Sequence, residues 1–199
     1  MAEIDLASGD RASALASLET IPGSLDEIGT QTGRWGVGID TALLLTRAGD
    51  PDTAAQLLDA LLPGLERSGY HLLEGSARVA AAETALARGR FSMAREQAKA
   101  AMELVAPQRW GLRYRLRLID IALLRHGGRI ADATRMLAEL DRDAHRHGDV
   151  LAQVELHGWM TPDTPGTVCT ADERFALLAR TGLRGTTHRW LTQEWLASE

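Results

Sequence analysis

Arg109, Arg113 and Arg117 recur at every fourth position of the stretch APQRWGLRYRLRLID (106–120), with Arg115 between them and no acid from 109 to 117. A spacing of four puts three of these side chains on one face of a helix. A guanidinium offers a planar fork of donors that matches the two oxygens of a carboxylate or phosphate, so the chemistry on offer is anion recognition. The chain as a whole carries a formal net charge of −5. That balance argues against wholesale binding to nucleic acid or to an anionic membrane. Three readings of the stripe stand: a solvated helix face paired with acids such as Asp120, a site for an acidic peptide or small anion, and a nucleic-acid footprint. The last is disfavoured because such a footprint normally covers a whole basic face.

Other side chains offer less. Asp141 and His145, four apart in DRDAHRHGD, share a helix face and could share a metal, but His147 falls off that face. Cys169 is the single cysteine and lies in TPDTPGTVCT, a loop by its prolines and glycine. No pattern brings it a histidine or asparagine that would make it a nucleophile. The one lysine, Lys99, sits in QAKAA and not in a phosphate-cradling Gly-Lys-Ser/Thr loop. Gly33, Gly36 and Gly38 in GRWGVG have the wrong spacing for a dinucleotide fold, and no strand precedes them. No enzyme, cofactor or metal is expected from these residues. A lone thiol cannot form an internal disulfide, and the N-terminus lacks the basic start and apolar core of a secretion signal, so a cytoplasmic setting is expected. No run of 18 apolar residues is present. With 21 Arg to one Lys and no Asn, the composition fits a bacterial genome rich in G and C.

The elements that must carry the arginines announce themselves by repetition. Gly9, Gly49, Gly89 and Gly128 are separated by 40, 40 and 39 residues. Five residues beyond each stands an alanine (Ala14, Ala54, Ala94, Ala133), and nine beyond stand Leu18, Leu58, Ala98 and Leu137. Twelve beyond are Ile21, Leu61, Ala101 and Leu140. Offsets of 5, 9 and 12 define one helix face. Seven residues upstream are Ala42, Ala82 and Ile121, and ten upstream are Ile39, Val79 and Leu118, the face of a second helix that ends at the glycine. Each unit therefore reads as helix, glycine turn, helix. Glycine suits the turn because a helix often closes on a residue in the left-handed conformation. Asp50 and Pro51 are a cap and a first-turn proline for the helix that follows Gly49.

This pattern resembles the tetratricopeptide repeat, in which a small residue sits late in the first helix, a glycine turns the chain, and alanine, a large apolar residue and alanine follow. Ala42, Ala82, Gly49, Gly89, Ala54, Ala94 and Ala133 match those places, whereas Ile121 departs from the small-residue preference and the period exceeds the family's usual length. Longer units of this kind are similar to the helical repeats of bacterial signal-transduction ATPases and of maltose-regulator-type transcription factors. The resemblance covers about residues 5 to 147 and implies an all-α protein, a right-handed α-solenoid of helix hairpins with about 40 residues per repeat. We expect four to five repeats over 1–160, a loop over 161–170, and capping helices over 171–199. The first unit lacks most of its first helix, so either that helix is short or the chain is cut from a longer protein.

A solenoid of this type implies a non-enzymatic module that binds protein, peptide or a small ligand on its concave face, as the sensor or scaffold part of a larger bacterial regulator. The alternative is a domain that self-associates as a homodimer. No direct nucleic-acid or membrane partner is expected. On a helical wheel Arg113 and Arg117 lie between two apolar edges, and in the glycine register Arg34 and Arg78 take their places in earlier units. The resemblance instead turns Arg115, Leu118, Ala122 and Arg125 toward the groove. The expected binding set is therefore Arg34, Arg78, Arg113, Arg115 and Arg117, with the wheel preferred. RWG occurs at 34–36 and again at 109–111, and each Trp is expected to wedge between units ahead of a first helix.

Overall fold

A computed structural model describes residues 30–159, together with Ala12, Ser13 and Ala16, which are helical. Seven helices and no strand lie among the described residues: α1 (Gln31–Ala48), α2 (Pro51–Ser68), α3 (His71–Ala87), α4 (Phe91–Leu104), α5 (Trp110–His126), α6 (Ile130–His147) and α7 (Val150–Trp159). The expected first unit, the 161–170 loop, Cys169 and the 171–199 capping helices lie outside the described residues.

Three of the expected glycines end helices in the same way. Gly49, Gly89 and Gly128 take φ of 90°, 68° and 72°. The amide of each reaches back three residues, and the next amide reaches back five: Gly49 to Thr46 and Asp50 to Leu45, Gly89 to Leu86 and Arg90 to Ala85, Gly128 to Arg125 and Arg129 to Leu124. This paired closure satisfies carbonyls that the helix end leaves open, and its left-handed residue favours glycine. Gly148 repeats the geometry after α6. The start of α2 is also the one expected. The Asp50 carboxylate accepts from the Thr53 amide at 3.1 Å, with Pro51 in the first turn. Asp149 does the same for α7, accepting from Ala152 at 3.0 Å.

The chain divides into two compact units, the boundary falling inside α5 between Ile119 and Asp120. In the first unit α1 packs on α2, α2 on α3, α3 on α4, and α1 also on α3. Its core joins Trp35, Ile39, Ala42 and Leu45 of α1 to Ala54, Leu58 and Leu65 of α2 and to Ala77 and Ala80 of α3. The repeat positions are the buried ones: Ala42, Ala82, Ala54, Ala94, Ile39, Val79 and Leu58 all lie in the interior. Leu61 is the exception, half-buried at the edge of this core. It lies where a Cβ on Gly38 would come within 2.7 Å of its Cδ1, so α1 and α2 approach closely there. In the second unit α6 packs on α7. Ala133, Leu137 and Leu140 of α6 are buried there at the same offsets.

The two RWG segments need a correction. Trp35 does not precede a first helix but lies inside α1, and Trp110 opens α5. Trp35 is nonetheless a packing residue. It is buried, packs over Gly64 of α2, and meets Tyr70 edge-on at 5.9 Å between ring centres. Pro63 lies within α2, which continues through it to Ser68.

Candidate functional site

The arginine-bearing helix α5 is the place to begin. Tyr114, Leu116, Leu118, Ile119, Ile121, Ala122 and Leu123 are all buried. The two apolar edges read from the wheel are real, and together they cover most of the helix circumference. The arginines between them can only emerge along narrow strips, and their directions follow from their partners.

Arg113 turns toward α4. Its Nη1 donates to the Met102 sulfur and its Nη2 to the carbonyl of Val105, so the guanidinium closes the C-terminal end of α4. A cation at that end also meets the negative pole of the helix. Arg78 behaves similarly from α3. Its Nε and Nη2 donate to Glu74 Oε1 at 3.0 and 2.9 Å, its Nη2 also to Glu66 of α2 at 2.8 Å, and its Nη1 to Gln97 of α4 at 3.3 Å. Arg78 is thus a hub that ties three helices together.

Arg115 turns the other way. Its Nε and Nη2 form a two-pronged pair with Glu83 of α3, the second bond measuring 2.5 Å. Glu83 is 2% exposed and Arg115 is 17% exposed, so the pair is largely withdrawn from water. Arg34 keeps to its own helix, donating to the neutral Gln31 at 2.6 Å. Arg117 is half-buried on α5. Burial lowers the pKa of Arg125, near the end of α5, below the ordinary arginine value by disfavouring the charged form.

Three of the five expected residues therefore separate by direction. Arg78 and Arg113 bond to groups on the second helices of the hairpins, α2 and α4. Arg115 bonds across to the neighbouring first helix, α3. The wheel turned Arg113 toward the groove because a wheel sees apolar edges and not the helix end lying opposite. Glu66, Glu74, Glu83 and Gln97 escaped the sequence reading, although Glu83 left a signal: it is the lone acid in VAAAETALA (79–87).

Among the described residues no group of three or more His, Cys, Asp or Glu side chains is placed to hold a metal ion. Asp141 is fully buried, with His145 Nδ1 at 3.4 Å from its Oδ1 and at 2.9 Å from its backbone oxygen. That arrangement ties the histidine to the preceding turn of α6. An open depression of about 460 Å³ runs along α6, lined by Ala131, Thr134, Arg135, Ala138 and Arg142. No helix among the described residues is long and apolar enough to cross a membrane. Comparison with protein-family models, curated proteins and solved structures finds no match.

Proposed function

We propose that this chain is a right-handed stack of tetratricopeptide-like hairpins serving as a non-enzymatic binding module, the sensor or scaffold part of a larger bacterial regulator. One observation carries the reading. The hairpins α1/α2 and α3/α4 pack in sequence order and the first helices, α1 and α3, also pack on each other. That is the contact set by which successive hairpins build a continuous surface from their first helices. A surface of this kind recognises a partner by fixed curvature and by the charges along it.

The ligand class is an acidic peptide segment. Arg34 is the first contact to examine, because its described bond goes to the neutral amide of Gln31. Arg78 and Arg113 serve the structure instead. The test is fluorescence anisotropy with a labelled hexaglutamate peptide over a salt series. Arg34→Ala weakens capture and flattens the salt dependence while leaving helicity intact. Equal binding by wild type and Arg34→Ala, or no binding by wild type, refutes the acidic-ligand reading. Light scattering over a dilution series separates partner capture from self-association, since only the latter gives a mass that rises with concentration.

A further inference from the structure

The Glu83–Arg115 pair stands alone at its place in the glycine register. Glu83 lies six residues before Gly89, where the other two first helices carry Leu43 before Gly49 and Ala122 before Gly128. Arg115 lies thirteen before Gly128, where the others carry Gly36 and Ser76. At the preceding junction of first helices, α1 against α3, the two register places are thus neutral. The polar contact buried there is the hydroxyl pair Thr46–Thr84, at 2.8 Å between oxygens. At the apolar places the first helices are alike: Ala42, Ala82 and Ile121, or Ile39, Val79 and Leu118. Likeness at these places creates an ambiguity, because apolar packing by itself does not tell one hairpin from another, including those of a second copy.

A buried ion pair is a poor stabiliser, since desolvation of both ions offsets most of their attraction and an apolar pair of similar size often does as well. It is a strong discriminator, because a wrong neighbour strands a charge away from water. We propose that Glu83 and Arg115 form a stacking-order key, which makes α5 settle on α3 rather than on an α1-type face of the same or another copy. On an α1-type face Arg115 would meet Leu43 in place of Glu83 and lie buried without a counter-charge.

The experiment compares three full-length proteins after refolding from urea: wild type, Glu83→Leu/Arg115→Leu, and the charge-exchanged Glu83→Arg/Arg115→Glu. Each is read by thermal unfolding, circular dichroism and light scattering on sized fractions at several concentrations. The apolar double variant is expected to match or exceed the wild-type Tm with unchanged helicity. It is also expected to refold into a mixture of masses whose heavier share grows with concentration. The charge-exchanged protein is expected to return to the wild-type mass alone. An apolar variant that refolds to the wild-type mass alone overturns the proposal. So does an apolar variant whose Tm falls well below wild type, or a pair of variants that both fail to fold, since the pair is then an ordinary stabiliser.

Discussion

Replacing glycine by alanine should act with opposite sign at two positions of this chain, and the contrast isolates the reason for the glycine repeat. Gly89 has φ of +68° and a Cβ added there meets nothing within 4 Å. Gly36 lies inside α1 and a Cβ there also meets nothing within 4 Å. Space is equal at the two sites, so only backbone conformation differs. At Gly89 the left-handed conformation costs an alanine roughly 1–2 kcal/mol. Alanine recovers about 0.4–1 kcal/mol of this by narrowing the unfolded ensemble, which leaves a net loss of about 1 kcal/mol. At Gly36 alanine gains its helical preference over glycine, about 0.8–1 kcal/mol. The two variants should thus differ by about 2 kcal/mol, or roughly 4–8 °C in Tm for a protein of this size. Urea and thermal unfolding followed by circular dichroism measure the difference. Gly89→Asn should lose less than Gly89→Ala, because asparagine tolerates the left-handed region. Equal stability of Gly89→Ala and Gly36→Ala would refute the argument that the repeated glycines are selected by backbone geometry.

Arg78→Ala should cost about 2 kcal/mol in urea unfolding, below the full range for a broken buried pair because Glu66 is half-exposed. Arg34→Ala, which removes a bond to the surface amide of Gln31, should change stability by less than about 0.5 kcal/mol. Pro63→Ala should stabilise the chain by up to about 3 kcal/mol, the usual penalty of proline within a helix; an unchanged or lower urea midpoint would show that the surrounding turn is built around the ring. The Asp132 carboxyl is held below its ordinary value of 3.8, first by the hydrogen bond from Arg129 and then by the charge of that arginine, with Arg135 adding to both. A depressed folded-state pKa contributes stability that is present above the unfolded value and is lost as pH falls through the folded one. A carboxyl carbon titration by NMR should place the Asp132 midpoint below 3.8 and move it upward in Arg129→Gln.

Much of the helical framework was legible because it rests on local physics. A left-handed glycine, an aspartate cap before a proline, and alanines at offsets of five and seven from the glycine each act within a turn or two of chain. The turns at Gly49, Gly89 and Gly128 and the burial of Ala54, Ala94 and Ala133 follow from such local patterns. A second glycine turn escaped notice. Gly69 and Gly148, 79 residues apart, both have positive φ, but the intervening register place at 109 is an arginine and breaks the beat.

The direction of each arginine was not legible. Arg113 and Arg115 are two residues apart on one helix, yet one seals the end of α4 and the other pairs with Glu83 on α3. Hydrophobic periodicity says which side of a helix leaves water; it does not say which polar group of another helix waits beside a given cation. Glu83 and Arg115 are 32 residues apart, and their meeting depends on how α3 and α5 lie against each other. The sequence by itself determined where helices begin, end and bury their alanines, because those choices are made by neighbours along the chain. Only the tertiary structure decided which charges cancel each other, because a charge answers to whatever lies within a few ångströms, however distant in sequence.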